Sequence, residues 1–282
     1  MDLPETENAE ITNAAPTSLP VESAVVPLET AQPKALPRPT ASFADYFESL
    51  LFTILIALFG TTFVVQAFKI PSQSMEPTLL VGDHVLVNKF IFGGHGAWYE
   101  KLLPYRAIRR GDIIVFKFPY DDHPHYVKRV IGLPGDHIHI ANERVYVNSK
   151  ALSEPYVIHD PSAQDPLDKN FPPDTRYSYG FRLRPEWAAT IADYIRDGEL
   201  VVPPDHYFVM GDNRDESSDS RYWGFVNRDA IMGRPVVIYW SVDATAQDYD
   251  NLGVDGTLRG MFEALLHLPS TTRWHRFLRE VH

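Results

Sequence analysis

Between Glu48 and Lys69 stand 20 consecutive uncharged residues, Ser49 to Phe68, most of them Leu, Ile, Phe or Val. As a helix rising about 1.5 Å per residue they extend about 30 Å, the hydrocarbon thickness of a bilayer. The run is therefore read as a transmembrane helix over 49–68. A buried core helix and a late signal peptide cut at Val65-Gln66-Ala67 are the alternatives; the acidic flank and the length count against cleavage. Lys34 and Arg38 on one side balance Lys69 and Lys89 on the other, so charge leaves the orientation open.

Upstream, residues 1–40 hold seven prolines among Ala, Thr, Ser and Glu, with no apolar period, so they bury too little surface to offset the entropy of ordering. Residues 1–48 are expected to form a disordered tail. Eight acids against two bases exclude a secretory n-region and an Arg-rich transit peptide. Over the whole chain, 26 Lys plus Arg against 37 Asp plus Glu give a net charge of −11, which argues against nucleic acid as a partner. With no cysteine, disulfides, thiolate nucleophiles and Cys-based metal sites are excluded together.

Beyond the run, apolar alternation and turn residues predict strands at Val81–Val87, Ile113–Phe118, Tyr126–Ile131, Asp136–Ile140, Arg144–Val147, Tyr207–Met210 and Pro235–Trp240. The fold class is mainly β: an antiparallel catalytic domain over 69–241, with a Pro-rich subdomain inserted at about 150–200. Pro185 to Arg196 reads as a helix, with Pro185 in its first turn. Residues 242–282 read as a polar linker and an amphipathic helix whose basic, aromatic end either packs on the domain or touches a membrane surface.

Two prolines hold Pro71-Ser72-Gln73-Ser74-Met75-Glu76-Pro77 out of helix and present Ser74 on a stiff backbone no more than about 20 Å past the apolar run. A juxtamembrane linker is the bland alternative. A serine nucleophile needs a base. His123, His125, His137 and His139 show no metal-binding or triad spacing, so no metal is expected. The other base is a lysine neutralised by desolvation, and Lys128 in Tyr126-Val127-Lys128-Arg129-Val130-Ile131 lies on the strand face opposite Arg129. A pair of edge charges that blunt aggregation is the alternative there. The loop from Gly211 to Gly224 interleaves Asp and Arg, which favours ion pairs that hold a loop rigid.

In order and character these segments resemble the boxes of type I bacterial signal peptidases: PSQSMEPTL (71–79), GDHVLVNK (82–89), RGDIIVF (110–116), YVKRVIGLPGD (126–136), GDNRDESSDSRYWGFV (211–226) and GRPVVIYWS (233–241). The resemblance implies a membrane-anchored serine endopeptidase, without cofactor, that removes signal peptides from exported preproteins after small residues at −1 and −3. It implies Ser74 as nucleophile and Lys128 as general base, with the Ser72 hydroxyl and the Ser74 N–H as oxyanion hole. Ser217 would orient the lysine, Asp215, Asp219 and Arg221 would support it, and Arg129 would be structural. Phe68, Ile70, Leu79, Tyr126 and Val127 would line the pocket. The implied partners are preprotein signal peptides and the lipid bilayer. The implied location is the bacterial inner membrane, single-pass, N-terminus cytoplasmic and catalytic domain outside. Gln73 stands where some relatives have glycine. A self-cleaving repressor-type protease is disfavoured because no helix-turn-helix precedes the dyad, and a silent binding module because it has no need of Ser74, Lys128 and Ser217 together.

Overall fold

The computed structural model describes residues 42–93, 105–118, 120, 125–160, 162, 166–173, 183–243 and 271–282. Residues 1–41 of the tail expected over 1–48, and most of the expected C-terminal linker and helix (244–270), lie outside these; residues 43–48, read as tail, are helical. Two compact units divide the chain, Met1–Glu48 and Ser49–His282.

Helix α1 (Phe43–Phe59) starts where the Ser42 hydroxyl accepts the Ala44 N–H and the Asp45 carboxylate accepts the Ser42 N–H, two of the donors that a helix start leaves open. None of its residues is buried. It ends in a π-helical turn, Gly60–Val64, and the chain then becomes strand β1 (Val65–Lys69). The apolar run is thus not one helix: its last four residues pair with β2 (Asp83–Asn88). Tertiary pairing decides here, because a short apolar run suits a strand as well as a helix. No helix among the described residues is long and apolar enough to cross a membrane.

The main sheet runs β1-β2-β13-β3-β4-β11-β12, where β3 is Ile113–Phe116, β4 Tyr126–Gly132, β11 His206–Met210, β12 Val226–Asn227 and β13 Ile231–Ser241. All the pairings are antiparallel. Strand β13 shifts register against β2 between Pro235 and Val237, where proline has no N–H for the ladder. Strand β3 is buried at all four positions, whereas β2 buries Asp83, Val85 and Val87 in alternation. At the chain's end, β14 (Arg279–Glu280) pairs with β13, so the last twelve residues dock as a turn and a strand, not as the expected helix.

A second sheet runs β7-β6-β5-β10-β9, with β8 (Asn170–Phe171) on β5. Here β5 is His137–Ala141, β6 Arg144–Val147, β7 Lys150–Ala151, β9 Ile195–Arg196 and β10 Glu199–Val201. Because β5 and β6 belong to this sheet, the unit is larger than the insertion expected at 150–200. Short helices α2 (Pro166–Lys169) and α3 (Pro185–Thr190) accompany it; α3 tightens into a 3₁₀ turn at Ile191 and gives way to β9, so the expected helix to Arg196 stops early. Its core joins Ile138, Val145, Phe171, Trp187 and Leu200 to Ile131, Phe208 and Met210 of the main sheet. That shared core ties the second sheet to the strands carrying Lys128 and the 211–219 loop. Helix α4 (Ser220–Trp223) closes the loop.

Candidate active site

Ser74 lies in a 3₁₀ turn, Gln73–Met75, between β1 and β2. The turn is pinned from beneath because Ile70, Met75 and Leu79 are buried with Val85, Val87, Ile113, Val115 and Val281. It is tied at its ends by the Ile70 N–H to Asp83 O (2.9 Å) and the Leu79 N–H to Met75 O (2.9 Å). Facing it, Lys128 of β4 donates from Nζ to Ser74 Oγ at 2.6 Å. Lys128 is 3 % exposed and Ser74 6 %. Burial is the main cause of a Lys128 pKa lowered to about 8; Asp219 and Asp212 raise it and Arg221 lowers it further. A neutral amine and a hydroxyl in hydrogen-bond contact form a general base and its nucleophile.

The loop after β11 fits around this pair. A Cβ on Gly211 would stand 2.4 Å from Ser74 O and 2.3 Å from Ser217 Oγ, so only glycine permits this approach. The Asn213 N–H donates to Ser74 O at 3.2 Å. Ser217 Oγ is buried and has no hydrogen-bond partner among the described residues. Asp219 accepts from the Gly211 N–H and pairs with Arg221 (2.8 Å), both side chains fully buried. Burial alone would raise the Asp219 carboxyl; the Arg221 charge and hydrogen bonds, the Gly211 N–H and Lys128 outweigh it and hold the group below its ordinary range. Arg129 binds Asp212 through two nitrogens at 2.8 and 2.7 Å, and Thr78 Oγ1 donates to Asp212 at 2.6 Å. Asp215 lies apart from Lys128's immediate partners: it accepts the Asp160 N–H at 2.6 Å and meets His159 at 3.4 Å.

Ser72 Oγ stands 3.4 Å from Ser74 Oγ. Of the residues expected to line a pocket, Ile70 and Leu79 are core, 3 % and 0 % exposed, whereas Phe68, Tyr126 and Val127 keep some surface. Strand β11 pairs with β4 only from Arg129 to Gly132, and β1 ends the sheet, so β1 and residues 126–128 each have an edge without a strand partner among the described residues. Phe68 of β1 meets His125, just before β4, with ring centroids 5.0 Å apart. The two unpaired edges are bridged at one point by those rings and at another by Ser74 and Lys128.

Sequence reasoning missed Gly211, Asp212, Asn213 and Thr78 as parts of the site, and the buried Asp83–Arg276 pair behind the Ser74 turn. Asp83 carried a signal: it shares its strand face with Val85 and Val87, the inward positions of β2. His137 and His139 both approach Glu199, at 3.4 and 2.7 Å, and no described cluster of three His, Asp or Glu residues is placed to hold a metal ion.

The sequence pattern of a family described as signal peptidase, peptidase S26, matches residues 43–240. Signal peptidase I of Pseudomonas aeruginosa is 37 % identical over 216 residues, 70 % of this chain and 72 % of that protein. Signal peptidase I of Aquifex aeolicus is 36 % identical over 231 residues, 68 % of this chain and 82 % of that protein. A crystal structure of a signal peptidase I from Enterococcus faecalis V583 aligns at 30 % identity and a TM-score of 0.30, covering 46 % of this chain and 97 % of that one.

Proposed function

Since the chain belongs to the signal peptidase family, peptidase S26, and is a serine peptidase of the signal peptidase I kind, we propose that Ser74 and Lys128 cleave signal peptides from preproteins at a membrane surface. The observation that carries this reading is the 2.6 Å contact between the Ser74 hydroxyl and a buried lysine whose pKa is lowered to about 8. Neutral Lys128 accepts the Ser74 proton as Oγ attacks the scissile carbonyl, then gives that proton to the leaving amine. The acyl-Ser74 ester is hydrolysed by a water that Lys128 deprotonates in turn. The Ser74 N–H and Ser72 Oγ receive the developing oxyanion, each such donor contributing about 2.7–4 kcal/mol. Ser217, its hydroxyl unbonded beside Gly211, is a second acceptor within the same enclosure for the Lys128 ammonium.

The substrate lies as an added strand between the edges of β1 and residues 126–128, its small side chains at −1 and −3 facing Phe68, Tyr126 and Val127 over the floor made by Ile70 and Leu79. Large side chains are excluded because that floor is close-packed. The exposed apolar side chains of α1 anchor the protein in the bilayer, N-terminus cytoplasmic and catalytic domain outside, so the site stands where a signal peptide's cleavage point leaves the membrane. No cofactor takes part.

The test is cleavage of a preprotein with an Ala-x-Ala site by the purified full-length protein in detergent. Wild type is expected to cut after the second Ala, while Ser74→Ala, Lys128→Ala and Lys128→Arg stay folded and inert, the last because guanidinium does not give up its proton. Activity within a few-fold of wild type in any of the three would sink the dyad.

A further inference from the structure

The segment Glu154 to Asp160 leaves the second sheet after β7 and lies along the catalytic loop, touching it repeatedly. The Ile158 N–H donates to Asp212 O at 3.0 Å, and the Arg214 N–H donates to Ile158 O at 3.2 Å, a parallel bridge that brackets Asn213. Asn213 is the residue whose N–H holds Ser74 O. The Tyr156 ring lies 3.9 Å from the Arg129 guanidinium carbon, covering the cation that grips Asp212 and adjoins Lys128 in sequence. Glu154 pairs with Arg214 through both carboxylate oxygens and accepts from Tyr156 Oη at 3.3 Å. Arg214 in turn donates to Gly211 O at 3.1 Å. At the far end, Asp160 N–H and His159 meet Asp215.

We propose that residues 154–160 act as a strap that positions the catalytic loop against Ser74 and Lys128, with Tyr156 and Glu154 as its positioning residues. The inference rests on the Ser74/Lys128 reading and adds what holds that geometry. The loop's internal bonds, Asp219 to Gly211 and Arg221 to Arg214 O, fix its two ends. Asp212 and Asn213 between them are held from outside: by Arg129 and Thr78, by Ser74, and by the strap. Each of Gly211, Asp212 and Asn213 is one contact from the strap or one residue from such a contact. Burial pushes the Tyr156 phenol above its ordinary range, so the ring stays neutral and its face stays available to the Arg129 cation. A shift of about 1 Å in such a scaffold can cost on the order of 100-fold in rate. The contacts of Tyr156 and Glu154 go to Arg129, to Arg214 and to each other, groups that hold the loop, so their loss is expected in kcat.

The experiment compares full-length wild type, Tyr156→Leu, Tyr156→Phe, Glu154→Gln and Ser74→Ala on one preprotein, at a temperature where each is shown folded by circular dichroism. Tyr156→Leu fills the volume without an aromatic face, and is expected to lower kcat roughly ten-fold with KM unchanged, while Tyr156→Phe stays within about two-fold of wild type. Glu154→Gln keeps the shape but loses the charge, and is expected to lower kcat several-fold, again with KM unchanged. An effect on stability alone would leave kcat of the folded protein intact. The strap is overturned if Tyr156→Leu and Glu154→Gln keep wild-type kcat, if the loss falls in KM, or if Tyr156→Phe is as impaired as Tyr156→Leu. Should Tyr156→Leu fail to fold, Glu154→Gln decides alone by the same criterion. Activity in Ser74→Ala would instead overturn the dyad, so the two failures are distinct.

Discussion

Lys128 is enclosed by protein on every side, and that enclosure is the main cause of its lowered pKa. Desolvation penalises the ammonium and leaves the amine untouched, so burial converts an ordinary lysine into a base for use near neutral pH. The sign follows directly. Only neutral Lys128 accepts the Ser74 proton, and in the free protein that form predominates above a pKa of about 8. The ratio kcat/KM should therefore climb about ten-fold per pH unit on the acid side, bend near pH 8 and level off above it. A profile flat from pH 6 to pH 9, or one that falls through that range, would contradict a lysine base. Asp219 works against the shift and Arg221 with it, so the two charges of the buried ion pair oppose each other at Lys128 and burial remains the main cause.

Among the elements, the C-terminal segment determines how firmly the Ser74 turn is held. Arg276, in the 3₁₀ turn Trp274–Arg276, donates to both oxygens of Asp83 and to Thr78 O at 2.9 Å, and Ser241 Oγ donates to Asp83 at 2.6 Å. Arg276→Ala leaves the fully buried Asp83 carboxylate without its hydrogen-bonded cation, with Arg273 standing off at 3.9 Å, and should cost about 3–5 kcal/mol in urea unfolding. Replacing the pair by apolar residues of similar size, Asp83→Leu with Arg276→Met, should recover much of that. A loss below about 1 kcal/mol for Arg276→Ala would mean the pair is no brace. These elements differ in how far sequence could reveal them. Strands β2, β3, β4, β5, β6, β11 and β13 announce themselves by alternating or continuous apolar residues between turn residues, and their edges fall within a few residues of expectation. Strand β1 did not, because Val65 to Phe68 continue an apolar run and its period is masked. Ser74 and Lys128 were each legible as candidates, but their contact spans 54 positions and only the order of the motifs joined them. Arg276 and Asp83 lie 193 positions apart, and no local pattern links them. The strap falls within the Pro-rich stretch read as an insertion, and its role emerges only from what lies across from it.

At the scale of the whole molecule, a β-rich domain with a buried core and a helix with its apolar side chains exposed belong to one chain. Leu51, Phe52, Leu55, Ile56 and Leu58 of α1 are 56–63 % exposed, the reverse of a helix that packs on a protein core. Helix and π-helical turn together run from Phe43 to Val64, about 33 Å at 1.5 Å per residue, and lead directly into β1, an edge of the proposed substrate slot. On the proposed role of α1 as an anchor, anchoring and catalysis are separable. Charges at Leu51, Leu55 and Leu58, as Leu51→Lys, Leu55→Glu and Leu58→Lys, oppose insertion by about 2.5–3.5 kcal/mol each near the bilayer centre. The triple variant should move from the membrane pellet to the supernatant while cleaving a short soluble peptide with unchanged kcat. Its kcat/KM on a preprotein inserted in vesicles should fall about ten-fold or more, because enzyme and substrate no longer share a surface that concentrates them. Retention in the pellet, or an equal loss on both substrates, would mean that α1 serves the catalytic domain directly instead of delivering it to the bilayer.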